Sequence, residues 1–199
     1  VVGVIGDSTF VHSGITGLID IVYNRGFATV IILDNRTTAM TGHQPNPVTG
    51  ETVRGEPTVE LDLEALCRAI GVRHVRTVNP NDLEETYRVL KEEVSRPEPS
   101  VVITKYPCVL LPEERRKEKP KYVIILENCT GCRSCLKLGC PAIEWVNITP
   151  EEAVKLGLRE KQRGYARINP VLCDGCGQCV GLCRFGAIIT EDERNGNGK

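Results

Sequence analysis

Eight of the ten cysteines fall in two runs, Cys129-x2-Cys132-x2-Cys135-x4-Cys140-Pro141 and Cys173-x2-Cys176-x2-Cys179-x3-Cys183. Thiolates at this repeat are ligands for iron–sulfur chemistry, since a 4Fe-4S cubane takes four of them. Three close in sequence let one tight turn grip a cubane, and glycines between them bring backbone N–H groups toward the inorganic sulfides. Gly131, Gly175 and Gly177 stand where that need arises. Zinc also takes paired C-x2-C turns, but its four ligands would leave the third cysteine of each run surplus. A disulfide framework needs an oxidising compartment, and nothing in the chain reads as a secretory signal.

The runs resemble those of bacterial two-cluster ferredoxins, in which each fourth cysteine crosses to the other cluster. That resemblance implies Cys129, Cys132, Cys135 and Cys183 around cluster 1, and Cys173, Cys176, Cys179 and Cys140 around cluster 2. Two features depart from the commonest pattern. Four residues rather than three precede Cys140, and Arg184 stands where proline usually follows the last cysteine. Arg184 thereby puts a cation beside a cluster, where it is expected to raise the local potential.

A second chemistry sits at the start of the chain. Residues 1–5 are an apolar run ending at Gly6-Asp7-Ser8, as a buried parallel strand does before its functional loop. Ile15, Leu18, Ile19 and Val22 then recur at helical spacing, with Gly26 placed for a C-terminal cap, and Ala28 to Leu33 is a second buried strand ending at Asp34-Asn35. Strand, helix and strand make a right-handed crossover, which brings both loops to the carboxyl edge of the sheet, where open α/β folds bind ligands. There Asp7 and Ser8 lie at a helix N-terminus suited to phosphate. A carboxylate, an amide oxygen, a main-chain carbonyl and waters would complete an octahedral magnesium site on a diphosphate. The plainer reading is an ordinary α/β edge with Asp7 and Asn35 as turn residues.

Gly6-Asp7-Ser8, then 25 residues, then Asp34-Asn35 resembles the thiamine-diphosphate motif, with Ser8 where glycine is commonest. The resemblance implies magnesium on Asp7, Asn35 and the Thr37 carbonyl, Gly6 and Ser8 against the diphosphate, and Met40 backing the thiazolium. The stretches Gly6 to Gly14 and Asp34 through Met40, Gly42 and His43 to Pro45 resemble those of the indolepyruvate ferredoxin oxidoreductase family, alpha subunit. His12 and His43 are weak catalytic candidates, either of which is as readily a plain loop or helix-entry residue. His74 carries no signal. Cys67 and Cys108 read as small hydrophobes.

The elements that must position these residues follow in order. Pro45 to Pro57 is a Pro/Gly-rich loop over the site edge, expected to order on substrate binding. Asp62 caps a helix carrying Leu63, Leu66 and Ile70 up to Gly71. Val72 to Val78 is a strand, and Asn81 with Glu84 opens a helix buried through Leu83, Tyr87, Leu90 and Val94. Ser100 to Thr104 is the last strand of an α/β domain spanning 1–111. Residues 112–121 read as a charged tether. A small α+β ferredoxin-like domain takes 122–199, with Tyr122 to Leu126 leading in, Thr149-Pro150 starting a helix, Ala166 to Asn169 as a strand, and an apolar segment after each cysteine run.

Composition narrows the classes further. Net charge is −1, which gives no case for nucleic acid or a membrane surface. No run approaches the roughly 18 apolar residues of a membrane span. Cysteine-rich and without a signal, the chain points to a reducing cytoplasm. Its sole methionine is Met40, so it is read as part of something longer. Taken whole, it resembles the carboxyl-terminal part of the alpha subunit. That family, found in anaerobes, converts aryl pyruvates and coenzyme A to aryl-acetyl-CoA and carbon dioxide, working with a beta subunit and an external ferredoxin. The resemblance also implies an activating Glu from a separate domain, so the chain alone is expected not to turn over. The alternatives are another 2-oxoacid:ferredoxin oxidoreductase, or a dicluster electron carrier with a docking domain.

Overall fold

The computed structural model describes residues 1–196. It divides into two compact units, Val1–Lys117 and Glu118–Lys199.

In the first unit, β1 (Val2–Gly6), β2 (Thr29–Asp34), β3 (His74–Val78) and β4 (Ser100–Lys105) form a sheet in the order β1-β2-β4-β3, every pairing parallel. Such sheets must be covered on both faces, and β4, whose residues 100–104 are buried, is the covered centre. A short helix α1 (Asp7–Thr9) runs through a π turn, Phe10–Gly14, into α2 (Ile15–Tyr23). At Gly14 a Cβ would come within 2.7 Å of Ile5 Cδ1, so the turn packs closely on β1 there. The core joins Phe10, Leu18, Ile32, Val48, Leu63, Cys67, Val101 and Ile103. α3 (Leu63–Ile70) is capped by Asp62, which accepts from the N–H groups of Glu64 and Ala65, and is closed by left-handed Gly71.

Several local expectations are corrected. The left-handed residue after α2 is Arg25, not Gly26. α4 (Leu83–Val94) is capped by Asp82 rather than Asn81, accepting from Glu85 N at 2.9 Å. Its inward stripe is Val89 with Glu93 and half-buried Leu90, while Leu83, Tyr87 and Val94 are exposed. The helix packs on both β4 and the edge strand β3. Buried Glu93 is held by Arg96 Nε at 2.7 Å, and its carbonyl accepts from the Thr29 hydroxyl. Ile19 is exposed. The 45–57 loop is already folded, with Val48 fully buried and bonds from Thr49 N to Asn46 O and from Thr58 N to Gly50 O. Within the expected tether, Pro112–Arg116 is a helix, α5, whose Glu114 is buried and paired with Lys117.

The second unit holds two antiparallel ribbons, β5 (Tyr122–Ile124) with β8 (Ile188–Thr190) and β6 (Ile143–Asn147) with β7 (Gly164–Ile168). Each cysteine run is followed by one strand, β6 or β8, and then by a short helix, α6 (Pro150–Lys155) or α8 (Glu191–Arg194). Both helices open on a capping box, Thr149 with Glu152 and Thr190 with Glu193. This is an internal two-fold repeat. Ile143, Ala166, Cys179 and Ile188 form its core; α7 (Gln178–Leu182) carries Cys179.

Candidate cofactor sites

In the first unit the register pairs Gly6 with Leu33, so the loops after β1 and β2 emerge side by side. Asp7 and Asp34 are both buried there. Asp7 Oδ1 accepts from Ser8 N at 2.8 Å, and Asp34 Oδ1 from Arg36 N at 3.1 Å. Asn35 makes the same kind of turn, its Oδ1 accepting from Thr37 N at 3.2 Å. Burial pushes the Asp7 carboxyl above the usual carboxylate range and the neighbouring Asp34 carboxylate adds to this, against the pull of Ser8 N–H, Asn46 and Arg36. A buried anion under that strain calls for a cation, which Arg36, paired at 2.8 Å with Glu60, does not supply to it directly. The Thr37 hydroxyl is buried without a hydrogen-bond partner. An orphaned hydroxyl in the loop after β2, with a desolvated carboxylate and an amide at the same sheet edge, fits an oxygen-liganded divalent cation on a diphosphate.

Sequence reasoning missed Asn46. It is buried, its Nδ2 reaches Asp7 Oδ2 at 3.4 Å and Thr38 Oγ1 at 3.5 Å, and its Oδ1 accepts from Val48 N at 3.0 Å. The available signal was an asparagine held between Pro45 and Pro47 in the loop over the edge. The other predicted residues stand apart from this cluster of bonds. His12 is exposed in the π turn, Met40 is fully exposed, and His43 is exposed with a left-handed φ of 62°.

In the second unit Cys129, Cys132, Cys135 and Cys183 line one cavity together with Thr130, Arg133 and Trp145. Burial, then the fields of Cys129, Cys132 and Cys183, push the Cys135 thiol up, while hydrogen bonds from Ser134 bring Cys132 down. Cys179 is pushed up to about 11 by burial and by Cys176, Cys173 and Cys140. The eight thiols therefore gather as two sets of four, each drawing one member from the other run. Among the described residues no three His, Cys, Asp or Glu side chains close around a single ion; the first set surrounds a cavity instead, as the corners of a cubane require. Backbone donors are present, with Ala187 N on Cys183 Sγ at 3.3 Å. Gly131, Gly175 and Gly177 all have positive φ, and a Cβ at Gly177 would meet the Tyr122 hydroxyl at 2.8 Å. Cys67 is fully buried in the core of the first unit. Arg184 is exposed.

Residues 1–104 match the family model "Thiamine pyrophosphate enzyme, C-terminal TPP binding domain", and residues 121–193 match "4Fe-4S dicluster domain". The chain belongs to the thiamine pyrophosphate enzyme family, and its cofactors are thiamine diphosphate and two 4Fe-4S clusters. Its similarity to curated proteins is to "Indolepyruvate oxidoreductase subunit IorA": 40% identity in Pyrococcus horikoshii over 94% of this chain and 28% of that protein, 36% in Thermococcus kodakarensis over 94% and 28%, and 38% in Methanothermobacter marburgensis over 98% and 29%. The chain thus spans less than a third of the length of these relatives. Among solved structures, the thiamine diphosphate-dependent 4-hydroxybenzoylformate decarboxylase of Rhodococcus jostii aligns with 53% of this chain and 19% of its own at TM-score 0.40 and 24% identity. No helix among the described residues is long and apolar enough to cross a membrane.

Proposed function

We propose that this chain is the thiamine-binding and electron-carrying part of a 2-oxoacid:ferredoxin oxidoreductase acting on aryl pyruvates such as indolepyruvate. The reaction takes a 2-oxo acid and coenzyme A to the acyl-CoA and carbon dioxide, and its two electrons leave singly to an external ferredoxin. One observation carries the reading. A single chain joins a sheet edge that holds buried Asp7 and the orphaned Thr37 hydroxyl in adjacent loops to two sets of four thiols.

When bound, thiamine diphosphate supplies the electron sink for decarboxylation and the 4Fe-4S clusters supply one-electron acceptors. The chain's own groups hold these in place. Asp7, the Asn35 amide oxygen and the Thr37 carbonyl would take magnesium, and Gly6 and Ser8, at the start of the α1–α2 helical run, would hold the diphosphate; Asn46 orients Asp7. Cys129, Cys132, Cys135 and Cys183 hold cluster 1, and Cys173, Cys176, Cys179 and Cys140 hold cluster 2. The identity to IorA subunits supports aryl pyruvates over pyruvate and a beta subunit as partner. The domain limits that fit this division of labour are 1–111 and 122–199.

Carboxyl-labelled indolepyruvate, pyruvate and a branched 2-oxo acid, each given to the full-length protein with its partner subunit, coenzyme A and a viologen, test the substrate class. Labelled carbon dioxide is expected fastest from indolepyruvate and only with an electron acceptor present. Preference for pyruvate would overturn the aryl assignment, and acceptor-independent release would overturn the oxidoreductase.

A further inference from the structure

The two cysteine runs are copies of one design, so the positions at which they differ in charge stand out. Aligned on their cysteines, Cys129-Thr-Gly-Cys-Arg-Ser-Cys135 faces Cys173-Asp-Gly-Cys-Gly-Gln-Cys179. Arg133 corresponds to Gly177, and Thr130 to Asp174. The backbone is left-handed at both members of the first pair, with φ of 61° at Arg133 and 76° at Gly177. Glycine takes that conformation freely, whereas a side chain there costs about 1 kcal/mol. A strained residue where the repeat elsewhere uses glycine asks for a role.

The Arg133 side chain is held in place. Its guanidinium lies 4.3 Å from the centroid of the Trp145 ring, and Trp145 is itself fixed by a 2.9 Å bond from its Nε1 to Asn147 Oδ1. Both side chains line the cavity enclosed by Cys129, Cys132, Cys135 and Cys183, and among the described residues lining it Arg133 is the one with a permanent charge. Lys137, Arg184 and Glu127 are near in sequence but outside that lining; Arg133 is exposed as they are, and what sets it apart is its place on the cavity wall and its stacking on Trp145. At the other run the charge between the first two cysteines has the opposite sign, while the stem of half-buried Lys119 packs beside Gly175. Asp174 stands between Cys173 and Cys176, its Oδ1 accepting from Cys176 N at 3.3 Å. The Tyr122 hydroxyl near Gly177 is a neutral dipole, a smaller influence than a full charge.

We propose that Arg133 and Asp174 set the two clusters at different potentials, cluster 1 above cluster 2, so that a single electron entering the pair rests on cluster 1. A nearby cation favours the reduced, more negative state of a cluster, and an anion disfavours it. The inference rests on the dicluster reading and adds a direction to it. Arg133 and Asp174 are positioning and tuning residues that do not ligate iron.

The test is an anaerobic redox titration of the reconstituted chain, followed by EPR, with iron and acid-labile sulfide measured on every sample. The parent chain is expected to show two separate midpoints. Arg133→Gln lowers the upper one, cutting the ratio of reduced to oxidised cluster about tenfold at fixed potential, equivalent to ~59 mV for one electron. Arg133→Lys restores most of it, which a merely structural arginine would not. Asp174→Asn raises the lower midpoint and narrows the gap. The inference is overturned if Arg133→Gln, with full iron and sulfide, leaves both midpoints in place, or if Arg133→Gln and Asp174→Asn move the same midpoint. A parent chain that fails to retain two clusters would instead sink the dicluster reading beneath it.

Discussion

Replacing Asp7 by alanine abolishes magnesium-dependent binding of thiamine diphosphate, a loss of at least a hundredfold in affinity by calorimetry on the cofactor-competent assembly. The size follows from placement: Asp7 is the buried carboxylate at the start of the helical run that follows β1, and removing a charged ligand of a hard cation leaves only the amide and carbonyl donors. The same residue is a burden to the empty protein. Because burial raises its folded pKa, the ionised form is disfavoured in the folded state, and stability is lost as pH rises through that folded value. Asp7→Asn keeps the shape and an acceptor for Ser8 N–H. Without magnesium it is expected to melt higher than the parent near pH 7, with the advantage shrinking as pH falls and vanishing below the ordinary carboxylate range. A variant that binds thiamine diphosphate and magnesium like the parent contradicts the site; one that melts lower at pH 7 contradicts the burial argument.

The second large effect concerns the crossing cysteines. Cys183→Ala removes a corner from the set built on the first run, and Cys140→Ala a corner from the set built on the second. Each variant is expected to lose about half of its iron and acid-labile sulfide, and the surviving EPR signals are expected to differ, since the survivors sit beside different fixed charges. Spectra that match between the two, both keeping the same cluster, would contradict the assignment. Cys67→Ala serves as the control, because its thiol lies in the core of the first unit and is pushed up to about 11 by burial.

What was legible in the sequence was what short-range geometry dictates. Three thiols at a spacing of three need only a local turn, and β1 and β2 read as strands because apolar runs stopping at Asp7 and Asp34 have few other uses. But β1, read as buried, is an edge strand, and Val1, Val2 and Val4 are exposed. The parallel sheet and the Asp62 and Thr149 caps followed from the same local chemistry, whereas the pairing of the second unit's strands into two ribbons did not. What escaped was set by tertiary contact. Asn46 meets Asp7 across 39 positions, and its place between Pro45 and Pro47 marks a constrained loop residue without saying which side chain it faces. Periodicity put Tyr87 and Val94 inside, but both are exposed and Glu93 is buried instead, its carbonyl accepting from the Thr29 and Ser100 hydroxyls. The sequence also singled out Arg184 as the cation at a cluster, on its place next to Cys183. Arg133 and Arg184 are both exposed, but only Arg133 lines the cavity enclosed by Cys129, Cys132, Cys135 and Cys183.

The central claim, that electrons taken from a 2-oxo acid at the thiamine site pass to the clusters of the same chain, is tested most directly by freeze-quench EPR of the full-length protein with its partner subunit, loaded with thiamine diphosphate and magnesium and given indolepyruvate and coenzyme A without external ferredoxin. The clusters are expected to become reduced within a turnover in the parent and to stay oxidised in Asp7→Ala, while dithionite reduces both equally. Clusters that dithionite reduces but substrate never does, in a parent protein that still releases carbon dioxide, would contradict the account.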